Sequence, residues 1–174
     1  MRYCAFLRGI NTGGKTMKMA DVRKIFEEAG MTDVSSVLAT GNIVFSSDQG
    51  RDELKPLLEK SLAEHFGYEA FLFLKTDAEI RGIVEYCPFE KHEHMHIYAF
   101  VTLPEMENIL LEEFEKSETS EDEYAVICGE TFYWEVPKGS TLDSKFGKIL
   151  GKKTLKDKIT SRNINTFEKI IDKL

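Results

Sequence analysis

The chain opens on YCAFLR (Tyr3–Arg8), an unbroken apolar run with aromatic and aliphatic side chains of the kind that form strands. A glycine-rich stretch follows to about Met17, and then the period changes. ADVRKIFEEAG places Val22, Ile25, Phe26 and Ala29 three and four residues apart and stops at Gly30, which predicts an amphipathic helix. VSSVLATGNIVFSS reads as two short strands around a hairpin turn at Thr40-Gly41-Asn42. DELKPLLEKSLAEHFG predicts a second helix, with Pro56 in its first turn or two, where a missing N–H costs little. YEAFLFLK closes the series as a strand, so the order is β-α-β-β-α-β.

That order then repeats. DAEIRGIVEYCPF reads as a connecting helix ending at Pro88. MHIYAFVTL reads as a strand and PEMENILLEEFEKS as a helix with Pro104 at its first position. EYAVICGETFYWEV predicts a hairpin across Gly129-Glu130, LDSKFGKILGKK a short helix, KITSRN a strand and TFEKIIDKL a closing helix. The expected fold is α+β, with two tandem ferredoxin-like (βαββαβ) halves, each an antiparallel sheet with helices on one face. The first half spans residues 1–76. The second spans 77–174 and includes the connecting helix and a basic C-terminal segment.

Composition narrows the class. With 42% hydrophobic and 30% charged residues the chain is of ordinary globular type. It lacks an 18-residue apolar stretch, so no membrane span is expected, and MRYCAFLRGIN is too weakly apolar to read as a signal peptide. Cys4, Cys87 and Cys128 are odd in number and far apart, which argues against a disulfide framework and for a reducing, cytoplasmic setting. The net charge of −7 disfavours indiscriminate nucleic-acid binding. Its distribution is uneven: residues 1–24 sum to +5, residues 145–174 to +6, and the centre to −18. If the fold joins the two basic ends, one positive patch results.

Three short patterns suggest chemistry. GINTGGKT (Gly9–Thr16) fits G-x-x-x-x-G-K-[ST], in which backbone N–H groups wrap phosphates and the Ser/Thr holds Mg²⁺. The sheet of such proteins is parallel, whereas the tight hairpin after the first helix forces antiparallel strands. The expected magnesium-holding Asp at a strand end is also missing. What survives is a generic anion site made of glycine N–H groups beside Arg8 and Lys15. HEHMH (His92–His96) fits the zinc-peptidase signature H-E-x-x-H, which needs both histidines on one helical face. IYAFVTL makes the segment strand-like instead, and extended backbone would hold His92 and His96 about 13 Å apart. YAFV (Tyr98–Val101) echoes an RNA-recognition strand, although core packing accounts for it better.

FLRGINTGGK, TGN, P-K-G-S-T-L-D-S-K and TSRNINT, taken together and in this order, resemble a bacterial family catalogued as domain of unknown function 1697. The resemblance runs from Arg2 to Leu174. The family's LRGIN-x-GGK is met by Leu7–Lys15 and its R-N-x-N-T by Arg162, Asn163, Asn165 and Thr166. Its S-K is met by Ser144 and Lys145; its S-G-N is Thr40-Gly41-Asn42 here. The resemblance implies fold and site positions but no reaction. The expected ligand-binding set is Arg8, Asn11, Gly13, Gly14, Lys15, Gly41, Asn42, Ser144, Lys145, Arg162, Asn163, Asn165 and Thr166. Such side chains orient a ligand but are neither nucleophile nor base at ordinary pKa. The expected function is binding of, or action on, a phosphorylated or carboxylated small molecule in a basic, polar cleft, with no cofactor or metal. Nucleic-acid binding is the alternative and a zinc peptidase the remote one.

Overall fold

Five successive residues of β1 (Arg2–Arg8), Tyr3 to Leu7, are buried, so this strand has core on both faces, as its continuous apolar run requires. The structure is a computed structural model that describes residues 1–8, 17–67 and 69–174. They divide into two compact units, residues 1–81 with 168–174, and residues 82–167.

In the first unit, β1 pairs antiparallel with both β3 (Asn42–Ser46) and β4 (Phe71–Thr76), and β2 (Thr32–Val37) lies outside β3. The sheet order is β2-β3-β1-β4. Helices α1 (Met19–Glu28) and α2 (Arg51–Phe66) bury Val22, Ile25, Phe26, Leu54, Leu58 and Leu62 against Tyr3, Ala5, Ile43 and Phe45. The apolar spacing read from the sequence is the stripe that makes this contact. The β2–β3 turn contains Gly41 at φ +75°, a left-handed conformation that glycine adopts without steric cost. Every strand pair here is antiparallel, which is incompatible with the parallel sheet of a P-loop protein.

α3 (Asp77–Glu85) begins with a capping box. The Glu79 carboxylate accepts from the Thr76 N–H at 2.8 Å, and the Glu79 N–H donates to Thr76 Oγ1 at 3.3 Å.

The second unit repeats the plan with β5 (Met95–Thr102), α4 (Met106–Lys116), β6 (Tyr124–Cys128), β7 (Thr131–Pro137), α5 (Lys145–Leu150), a 3-10 turn (Lys153–Leu155) and β8 (Ile159–Asn163). Its order, β6-β7-β5-β8, is antiparallel and equivalent to that of the first sheet. α6 (Ile164–Ile171) follows β8 directly. Phe100, Phe132, Trp134 and Phe146 form the centre of the core beneath α4 and α5. Both sheets therefore carry the predicted ferredoxin-like topology.

One local expectation fails. Pro104 precedes α4 instead of opening it. It occupies a turn closed by the Met106 N–H and the Leu103 carbonyl at 3.3 Å, in which Glu105 has φ +69°. Proline suits the second position of a four-residue turn as well as it suits the first of a helix, and the turn geometry prevails.

Candidate functional site

A cleft of about 100 Å³ opens in the second unit where three segments converge. The approach to β5 supplies Lys91 and His92, and the start of β5 supplies Met95, His96 and Ile97; Lys138 follows β7; Asn163, Ile164 and Asn165 come from the junction of β8 and α6. Strand register brings them together. β5 pairs with β7 at Met95–Pro137 and with β8 at Tyr98–Asn163. The Lys138 N–H donates to the His94 carbonyl at 2.9 Å and fixes the entrance.

The HEHMH segment is not helical. β5 begins at Met95, and the Met95 N–H donates to the His92 carbonyl at 3.3 Å, closing a turn. His92 lies in the loop before β5, and both His92 and His96 line the cleft. Extended geometry begins one residue earlier than His96 but leaves residues 92–94 free to turn. Among the described residues, no group of three or more His, Cys, Asp or Glu side chains could hold a metal ion.

The cleft is basic and polar. Two lysines, two histidines and two asparagines contribute, and none of the described lining residues carries a carboxylate. His96 is half-buried, its ring centroid 5.8 Å from that of Tyr98. Its Nδ1 lies 3.1 Å from Asn163 Nδ2, and Asn163 Oδ1 accepts from the Asn165 N–H at 3.0 Å. Asn163 thus joins the imidazole to the first turn of α6.

Residues 1–133 match the profile of a family described as "Protein of unknown function (DUF1697)". The chain belongs to that family. The solved structure of conserved bacterial protein SP0830 from Streptococcus pneumoniae is 25% identical to it, with a TM-score of 0.79 over 99% of this chain and 97% of that one. No curated protein is significantly similar to the chain.

In this DUF1697 protein the motif residues take different positions. Asn11, Gly13, Gly14 and Lys15 lie outside the described residues. Arg8 ends β1 opposite Phe71, and burial lowers the pKa of its guanidinium from the ordinary value. The Gly41 carbonyl accepts from the Leu7 N–H at 2.7 Å. Asn42 is fully buried, its Nδ2 donating to the Val37 carbonyl at 2.9 Å and to Thr40 Oγ1 at 3.0 Å, which ties the hairpin turn.

Ser144 caps α5 by accepting from the Gly147 N–H at 3.2 Å, and it donates to the buried Glu123 carboxylate at 2.8 Å. Glu123 also accepts from the Trp134 indole at 3.2 Å. Lys145 pairs with Glu118 in an exposed salt bridge and holds that carboxyl below its usual range. Arg162 donates to Thr160 Oγ1 and to the Ser161 carbonyl, both at 2.8 Å. Thr166 is buried in α6. Among the described residues of the expected set, Asn163 and Asn165 are the two that line this cleft.

Lys91, His92, His96 and Lys138 were absent from that set. The signals available in the sequence are the Lys-His-x-x-x-His run Lys91–His96 beside a strand, which reads there as a failed zinc motif, and Lys138 in P-K-G-S-T-L-D-S-K. Tyr98 and Phe100 face Trp134, Phe132 and the helices, so these aromatics are core and not a stacking platform. Burial pushes the Cys87 thiol up from its ordinary value, which lowers its thiolate content and its use as a nucleophile.

Proposed function

We propose that the cleft of the second unit binds the anionic head of a phosphorylated or carboxylated small molecule. The observation that supports this reading is a cavity wall made of two lysines, two histidines and two amides, with no carboxylate among its described lining residues. At about 100 Å³ the cavity takes one phosphate or carboxylate, well short of the ~300–1,000 Å³ typical of a whole drug-sized ligand. The remainder of the ligand lies outside, and a bare anion held mostly by exposed lysines should bind in the millimolar range, about −4 kcal/mol. The residue types of the glycine-rich segment, with Arg8 and Lys15, suit the same ligand class.

The test is an amide ¹H–¹⁵N titration with inorganic phosphate and with acetate at low ionic strength. Saturable shifts confined to residues 91–97, 138 and 163–165, lost in Lys138→Glu, are expected. Shifts that stay linear, or that spread over all the lysines alike, would reject the site. A steep salt dependence with single-stranded oligonucleotides and no response to phosphate would favour nucleic acid instead.

A further inference from the structure

We infer that Asn163 fixes the neutral His96 imidazole in the tautomer that carries its proton on Nε2, so that the cleft meets its anion with an uncharged N–H donor. The part concerning Asn163 stands on geometry alone; the part concerning the anion rests on the function proposed above.

The hydrogen-bond network orients the amide. The Asn165 backbone N–H lies 3.0 Å from Asn163 Oδ1, and an N–H has nothing to offer except a proton, so the atom it meets is the amide oxygen. The planar amide then directs its NH₂ at His96 Nδ1, 3.1 Å away. An amide NH₂ only donates. Nδ1 must therefore present its lone pair, and a neutral imidazole with a bare Nδ1 carries its hydrogen on Nε2. The opposite tautomer would set two donors against each other. Rotating the amide to relieve that conflict would turn NH₂ toward the Asn165 N–H and remove the cap on α6.

The fold holds this arrangement from both sides. Asn163 is the last residue of β8, in register with Tyr98 of β5, and α6 starts at the next residue. The Tyr98 ring packs beside the imidazole. Nε2 has no hydrogen-bond partner among the described residues, and His96 lines the cavity. The lysines supply charge without direction, while an Nε2–H supplies direction without charge. In this tautomer His96 donates to an anion's oxygen and has no free lone pair with which to abstract a proton, a binding or polarising role. Asn163 is thus a positioning residue, acting on the ligand through His96.

The decisive variant is Asn163→Asp. It keeps an oxygen for the Asn165 N–H, and so keeps the cap, but offers His96 an acceptor in place of a donor. Long-range ¹H–¹⁵N spectra of the histidine rings, at a pH that leaves the imidazole neutral, report each nitrogen separately. The wild type should show a pyridine-like Nδ1 and a pyrrole-like Nε2 for His96, and Asn163→Asp should reverse the pattern. A pyrrole-like Nδ1 in the wild type, or an unchanged pattern in the variant, would overturn the assignment.

Phosphate titration addresses the donor. His96→Gln, which retains a neutral N–H, should bind inorganic phosphate as the wild type does, whereas His96→Leu should lose about tenfold. Equal affinity of His96→Leu and wild type would remove the donor role. Absence of phosphate binding in the wild type would remove that role together with the proposed function, while the ring spectra still decide what Asn163 does.

Discussion

Replacing Gly147 by alanine tests how tightly the segment before α5 is held. Gly147 occupies the third position of α5, and in a freely exposed helix the exchange would stabilise by up to about 1 kcal/mol. Here a Cβ would stand 1.9 Å from the Thr141 carbonyl oxygen and 3.1 Å from its carbon. Carbon and oxygen without a bond between them approach to about 3.3 Å, so the segment must retreat by roughly 1.4 Å. It is poorly able to do so. The Ser144 N–H donates to the Ser140 carbonyl at 2.8 Å, and Ser144 Oγ is bound both to Glu123 and to Gly147 itself. Moving the segment weakens the cap, about 1 kcal/mol, on top of an overpacking cost of about 1–3 kcal/mol. The overlap outweighs the propensity gain, and a net loss of about 2 kcal/mol is expected, or about 4–8 °C in Tm for a chain of this size. Gly82→Ala is the control, since its Cβ meets only the Tyr86 ring at 3.8 Å within α3; it should be neutral or stabilising. Thermal and urea unfolding followed by circular dichroism would show both. A Gly147→Ala protein as stable as the wild type, with Gly82→Ala behaving as expected, would refute the argument.

Asn42→Ala should cost about 1–3 kcal/mol in urea denaturation, because the Val37 carbonyl loses its donor in a buried turn. Glu79→Gln should be destabilising by about 1 kcal/mol at pH 7. Burial alone would raise the Glu79 carboxyl, but the Thr76 N–H, Lys75 and Arg51 outweigh it and hold the carboxyl below its ordinary range. Its contribution is therefore present above the unfolded pKa of about 4.3 and is lost as pH falls through the folded value, so the difference between variant and wild type should shrink in acid. Glu135 behaves oppositely: burial raises its carboxyl, with His92 opposing. Its stability contribution is complete below about pH 4.3 and disappears as pH rises through the folded value, so Glu135→Gln should raise Tm at pH 7 and leave it unchanged near pH 4.

The order of the elements was legible in the sequence because it depends on local signals. Val22, Ile25 and Phe26 recur at helical spacing, and Gly41 and Gly129 carry the positive φ that their turns need. A tight hairpin after the first helix already requires an antiparallel sheet, which sets the glycine-rich match aside on the sequence alone. The cleft was not legible. Its residues come from positions 91–97, 138 and 163–165, and only the pairing of β5 with β7 and β8 makes them neighbours. Nor did the motif show that Asn42 would be turned into a buried corner, or that Ser144 would meet Glu123 and Trp134 in the core. Period and turn chemistry act over a few residues and are written in adjacent letters. Which side of a strand a polar group faces, and which distant group it meets there, is decided by long-range register. That register is set by the joint packing of both sheet faces, a property of the assembled fold that no single segment contains.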